Sequence, residues 1–572
     1  MKAYTYDCIV IGTGAAGYNA ACRLKEFGVN VAMVTEGINC GTSRNTGSDK
    51  QTYYKLGLSG DSPDSVHKMA QNLFDGGCVD GDNALAEAAL SVRCFMNLCE
   101  LGVPFPHNRY GEYIGYKTDH DPFERATSAG PLTSKFMTEA LQKKAEDLDV
   151  KVFDGYRAVK LLKTDGRVCG LLCVCGKETV AFRCRDIIMA TGGPAGIYAD
   201  SVYPECHHGS TGLAIEAGAK MQNLALWQYG LASTKPRWNV SGTYMQVLPR
   251  FVSIDEKGNE HDFLWDYFAD RYEGLSLVFL KGYQWPFDPK KAEKGSSQID
   301  LIVYRECVEK GRKVFLDFTK DPFPIDFTKL SDEAYEYLDK AGATFKTPIE
   351  RLQKMNAPAI ELYRSKGVDL YTEYLPIALC AQHHNGGIAV DRWWQSSVKG
   401  LFAVGECAGT HGIARPGGSA LNAGQVGSLR AAQYISEHPN ELVDEEAFLK
   451  IAIENGNITL SAEADGKIRS AARRMSNVAG AVRDQDAIKS TLNVTINELK
   501  EATDPRLKEV LLTQGAVLTA MSEPNTDPKT IQEIQYADGR FIANIREVRP
   551  IPREDAFFEN VWRSYRENKN IY

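Results

Sequence analysis

No run of apolar residues in this 572-residue chain approaches the roughly 20 needed to span a bilayer, so no membrane segment is expected. Cys-x-x-Cys is also missing, although there are 14 cysteines. Cys169, Cys173 and Cys175 fall in Val-Cys-Gly-Leu-Leu-Cys-Val-Cys-Gly, a strand pattern ending in a turn. They read as strand or core thiols rather than ligands, and no metal site is expected. Basic residues are in deficit, with 66 Lys and Arg against 74 Asp and Glu and a formal net charge of −8. That balance lacks the basic stripe of a nucleic-acid surface. The C-terminal Arg546, Arg549 and Arg553 are interrupted by Glu547, Glu554 and Asp555 and read as a mixed, solvated face. There is no internal repeat and no low-complexity tract. The first residues hold one lysine and no apolar h-region; with so many free-looking cysteines, a cytoplasmic, reducing location is the expectation.

What is present starts at Tyr6. Tyr-Asp-Cys-Ile-Val-Ile-Gly-Thr-Gly-Ala-Ala-Gly reads as a strand, a glycine turn and a helix, followed by a second strand, Val-Ala-Met-Val-Thr, that ends on Glu36. Gly12 permits the tight turn, Gly14 bares the backbone to a pyrophosphate, and Gly17 lets helix and strand approach closely. The helix N-terminus offers unpaired N–H groups and partial positive charge. Glu36 lies 19 residues beyond Gly17, where a carboxylate meets a ribose diol. A dinucleotide site is the reading.

At this length two to four domains are expected. Residues 37–50 are turn-rich, 65–102 and 136–148 helical, and 151–184 strands with a turn at Thr164-Asp-Gly166. A buried-type strand then ends in Thr191-Gly192-Gly193, and a helix and strand occupy 210–228. From 232 to 374 aromatics, Pro and Lys increase, which marks an inserted domain. Nucleotide-fold patterning returns with Gly400-Leu-Phe-Ala-Val-Gly-Glu406 and a Gly-rich loop, 409–418, that opens a helix at about Ser419. The fold expected is α/β: a Rossmann-like domain in two segments (1–231 and 375–438), an α+β insertion (232–374) and a helical C-terminal domain (439–572).

Four motifs in one order give the chain a resemblance to the flavoprotein family of fumarate reductases and succinate dehydrogenases, with L-aspartate oxidase and the flavin subunit of adenylylsulfate reductase as relatives. They are Gly12-Thr-Gly-Ala-Ala-Gly17, Ala190-Thr-Gly-Gly193, Leu226-Trp-Gln-Tyr229 and Gly405-Glu-Cys407, joined by His411-Gly-Ile-Ala-Arg-Pro-Gly-Gly418. The resemblance implies FAD, a cap over the isoalloxazine, and hydride exchange between flavin N5 and a carboxylic acid. It implies cofactor contacts from Gly12, Gly14, Ala15, Ala16, Gly17, Glu36, Gly37, Ser43, Asn45, Gly47, Ala158, Ala190, Thr191, Gly192, Glu406, Ser419 and Leu421. Arg415 matches the arginine that clamps a substrate carboxylate.

The chain also departs from that family. Residues 37–51 contain no histidine, so non-covalent FAD is implied. Gln382 stands where the family places a substrate histidine, with His383 and His384 following; Gly230 replaces a second histidine. The cap helix expected at 296–310 puts Ser297 or Gln298 at the proton-donor position, which leaves Arg305 as a candidate. Tyr229, His383 and His411 are the other candidate proton sources. A substrate acid other than plain fumarate is expected, bound by Gln382, His383 and Arg415. The alternatives are an electron-transfer subunit with an iron–sulfur partner, an amino-acid oxidase and a non-catalytic flavin protein. The electron donor is expected to be separate: an iron–sulfur protein, reduced flavin or an NADH-linked carrier.

Overall fold

A computed structural model describes every residue except 61–62, 119, 205–206, 208–209, 554–557 and 569–572. The elements that position the site are, in chain order, β1 (Cys8–Ile11), α1 (Ala15–Glu26), β2 (Val31–Thr35), β3 (Lys151–Asp154), β4 (Asp186–Met189), β5 (Trp227–Thr234), β6 (Leu375–His384), β7 (Leu401–Ala403), α2 (Ser419–Glu437), β8 (Thr530–Ala537) and β9 (Arg540–Glu547). β7, β4, β1, β2 and β3 form a five-stranded, all-parallel sheet in that order. Its central strands are buried at every position and are apolar except for Asp186 and Thr35 at their ends, as two-sided coverage requires. α1 and α2 cover one side and pack on each other; Gln425 on α2 donates to the Ala15 carbonyl, and Ser428 donates to that of Ala16.

A second sheet of six antiparallel strands runs Arg237–Asn239, β5, β6, Lys313–Asp317, Arg250–Ile254, Glu260–His261. It builds a separate hydrophobic core around Trp238, Tyr244, Phe251, Leu316 and Tyr363. β5 and β6 run through both cores: Tyr229, Cys380 and Ala381 belong to the first, Leu231 and Ile377 to the second. The expected boundaries at 231 and 374 fall on or beside these shared strands.

The C-terminal region is not all helical. Beside the helices Glu445–Asn455, Ala464–Val478, Gln485–Glu501 and Pro505–Ser522 it holds the β8–β9 hairpin, which pairs with Met221–Gln222 in a third sheet. Asp538 and Gly539 both take positive φ (50° and 75°), the geometry of a tight hairpin turn. The arginines that follow are not a solvated face. Arg546 donates two bonds to Asp80 (2.9 and 2.7 Å), and Arg549 donates to Asp82 and Asn83. Arg553 is exposed; Glu554 and Asp555 lie outside the described residues. Among the described residues no helix is long and apolar enough to cross a membrane, and no group of three or more His, Cys, Asp or Glu is placed to hold a metal ion.

Candidate active site

A cavity of about 780 Å³ runs along the carboxyl ends of the parallel strands to the seam with the second sheet. The β1–α1 turn forms one wall. Gly12 has φ +107°, and a Cβ there would stand 2.5 Å from the Ala190 carbonyl oxygen. A Cβ on Gly17 would meet the Gly12 carbonyl at 2.1 Å, so this glycine sets the contact between α1 and its own turn. Gly14, Ala15 and Ala16 line the cavity. The Ser43 hydroxyl accepts from Ala15 N at 3.3 Å and lies 3.2 Å from where a Gly14 Cβ would be. The bare backbone and free helix N-terminus make a cradle for phosphates.

Beyond this turn, Glu36 accepts from Arg157 at 2.9 Å, and Arg157 also faces Glu509 at 3.8 Å. Burial pushes the Glu509 carboxyl up to about 7. Gly37, Ser43, Gly47, Ala158, Ala190, Thr191, Gly192 and Leu421 line the same cavity. Gly47 has no room for a side chain, since a Cβ would be 2.6 Å from the Trp238 ring. Three expected residues lie behind the lining. Asn45 ties its own loop by donating to the Asn39 and Gly41 carbonyls, Gly17 sits in the helix contact, and Ser419 is buried with its hydroxyl unpartnered at the start of α2.

The opposite end is where β5, β6 and the loop before α2 converge. Glu406 accepts from the Tyr203 hydroxyl and from His384 N (2.9 Å), and its Oε1 is 3.2 Å from His383 Nδ1. Burial raises its carboxyl to about 7. A Cβ on Gly193 would collide with that carboxylate at 2.3 Å, so the second glycine of the Thr-Gly-Gly turn makes room for Glu406. His383 Nε2 lies 3.1 Å from His411 Nδ1. Burial, with the nearby Arg415 charge second, holds His383 well below the usual histidine range and His411 down to about 3. Both imidazoles are therefore neutral. His384 turns away, with its ring stacked on Trp227 at 4.0 Å and its Nε2 3.2 Å from the Leu224 carbonyl.

Arg415 donates from Nη2 to Gln228 Oε1 at 2.9 Å, and its Nε is buried without a partner. Burial draws its guanidinium down to about 10, partly offset by Glu406 and Tyr203. Arg415, Gln228, Gln382 and His383 all line the cavity, and His411 stands directly behind His383.

Two proton-source candidates are elsewhere. The Tyr229 hydroxyl faces the C-terminal domain, 3.2 Å from the Tyr198 hydroxyl and donating to the Ala479 carbonyl at 3.1 Å. Gln228 and Tyr229 are consecutive on β5, so the pleat points their side chains to opposite faces, while the register shift beside them leaves Gln382 of β6 as the extra residue. Arg305 is exposed, 5.9 Å over Tyr267, on the face of its helix opposite the buried Ile302, Val303 and Glu306. Sequence reasoning missed Tyr203, Arg157, Glu509 and Trp285. Gln228 lay inside a recognised motif and had a signal; Tyr203 had none.

The glycine cradle, the helix N-terminus and the Glu36–Arg157 end fit a dinucleotide, and the family comparison identifies it. Residues 7–421 match the FAD binding domain family, and the chain belongs to that family. FAD is its cofactor, and the protein is an FAD-dependent oxidoreductase. It is similar to a polypeptide of the fumarate reductase (CoM/CoB) of Methanothermobacter marburgensis, 26% identical over 80% of this chain and 79% of that one. It is likewise similar to L-aspartate oxidase of Mesorhizobium japonicum, 26% identical over 72% and 71%. In fold it matches Mycobacterium smegmatis Sdh1, with TM-score 0.73 and 19% identity over 97% and 96% of the two chains. Adenylylsulfate reductase of Archaeoglobus fulgidus matches at 0.62, with 14% identity over 97% of each.

Proposed function

We propose that this enzyme interconverts an unsaturated carboxylic acid, other than plain fumarate, and its saturated counterpart. One observation carries the reading: a guanidinium, Arg415, faces a cavity shared with the cofactor cradle and keeps a buried Nε free of any protein partner. A planar fork of this kind suits a carboxylate held through two oxygens. When bound, FAD supplies two-electron exchange with a carbon–carbon bond. The loop at 37–51 has no histidine to tether it, which supports non-covalent binding. The electron donor is proposed to be a separate protein or small carrier.

Around that centre the chain's own groups bind, orient and hold a proton. Gln228 fixes the guanidinium. His383, backed by His411 and Glu406, is the titratable group facing the cavity end. A carboxylate on Arg415 would cancel the charge that helps hold His383 neutral, so ligand binding raises the basicity of this imidazole. His383 is thus the proposed proton carrier, with a proton path to His411 behind it.

Arg415→Ala should keep the yellow chromophore and lose at least about 100-fold in reductive turnover, with reduced viologen as donor and a panel of 2-enoates as acceptors. His383→Gln should flatten the pH profile of the remaining activity. Undiminished turnover in Arg415→Ala would end the clamp reading. Peroxide formed from amino acids in air would place the enzyme with the oxidases instead.

A further inference from the structure

Arg415 accounts for one end of the substrate. The wall beyond it is built by Gly230, Gln382 and Trp285. Gly230 follows Gln228, the partner of Arg415, by two residues on β5, a rise of about 7 Å. A Cβ on Gly230 would stand 2.8 Å from Trp285 Nε1 and 2.9 Å from Gln382 Nε2. Indole and amide therefore fill the space that any side chain at 230 would need. The loop carrying Trp285 is pinned across the strand by Phe287 N, which donates to the Tyr229 carbonyl at 2.7 Å. Tyr283, Pro286 and Tyr337 join Trp285 along the cavity.

This wall has large aromatic faces and a neutral amide. Trp285 Nε1 and both amide atoms of Gln382 are buried without partners, and His383 beside them is neutral. The two lysines that line the cavity, Lys50 and Lys117, are exposed to solvent. A second carboxylate placed against the indole would lose its water and meet two neutral N–H donors, Trp285 Nε1 and Gln382 Nε2, but no cation. A flat ring would gain apolar contact and an aromatic partner there.

We infer that the substrate is a monocarboxylate whose far end carries a planar apolar ring, a 3-aryl-2-enoate or its saturated form, with Trp285 setting this preference. The inference rests on reading Arg415 as the carboxylate clamp. It is tested by calorimetric titration of the FAD-loaded chain with trans-cinnamate and with fumarate. Cinnamate should bind at least about tenfold more tightly, the equivalent of burying one ring. Trp285→Ala should erase that margin. Gly230→Ala, whose new methyl crowds both the indole and the Gln382 amide, should also erase the margin and stands as the second variant if Trp285→Ala misfolds. Equal or tighter fumarate binding, or equal weakening of both acids in Trp285→Ala, would overturn the inference. The clamp is judged separately in Arg415→Ala. If both acids lose affinity there but fumarate is preferred in the parent, the clamp stands and the ring pocket falls. If cinnamate binds undiminished there, the clamp falls, and with it this inference.

Discussion

Glu406 and Glu87 are both carboxyls removed from water, and their neighbours differ. Glu406 gains a tyrosine hydroxyl and a backbone N–H. Glu87, 3% exposed on the helix Gly81–Glu100, has an Oε1 with no hydrogen-bond partner, and burial lifts its carboxyl to about 8. The folded protein therefore keeps a proton on Glu87 that the unfolded chain releases near the ordinary value of 4.5. As pH rises from about 5 to 8 the unfolded state is favoured, by about 1.4 kcal/mol per pH unit for one such group. Glu87→Gln removes this slope. Urea denaturation of the holoprotein at pH 5.5, 6.5 and 7.5 should show the variant gaining on its parent at each step; a constant difference would mean that Glu87 is ionised in the fold. His383, His384 and His411 act in the opposite sense. All three are held neutral by burial, so they cost stability as pH falls below about 6.5.

Among the elements, the β1–α1–β2 unit was readable because its apolar runs and glycines serve local geometry. Each glycine answers to an atom a few residues or one strand away. Gly17→Ala places a methyl 2.1 Å from the Gly12 carbonyl oxygen, a backbone atom that cannot swing aside. It should cost about 1–3 kcal/mol and much of the bound flavin, read as visible absorbance relative to protein and as the thermal midpoint. Retained flavin with an unchanged midpoint would show that α1 can slide. The β8–β9 hairpin was missed although its signal was present: an Asp538-Gly539 turn flanked by Ile531, Ile534, Ile542 and Ile545. Many Gln, Glu and Arg between those isoleucines hide a strand that is half exposed. Arg415 and Glu36, picked out by residue type and motif position, both line the cavity. The site was illegible where direction decides: strand alternation turns Tyr229 to the face opposite Gln228, and helix phase puts Arg305 in solvent. Trp285 could not be found because its partner, Gly230, is 55 residues away and informative through what it lacks.

At the scale of the whole molecule, the C-terminal hairpin is fastened to the cofactor domain by charge. Asp80, with no exposed side-chain surface, receives both Arg546 nitrogens and the backbone N–H of Arg549. Asp80→Asn should cost about 3 kcal/mol, the lower end for a broken buried pair because both arginines are partly exposed. Hydrogen exchange should quicken selectively along β8 and β9. Unchanged protection there would show that the hairpin is held by Ile531 and Ile534 alone.

The two cores are joined through neighbouring strands of one sheet, β5 and β6, hydrogen-bonded to each other along the crossing. A linkage of two paired strands resists shear and yields most readily to twist. Gln228, Gly230, Gln382 and His383 all sit on it. A turn about these strands would carry all four of these groups, the proposed ligand contacts, together.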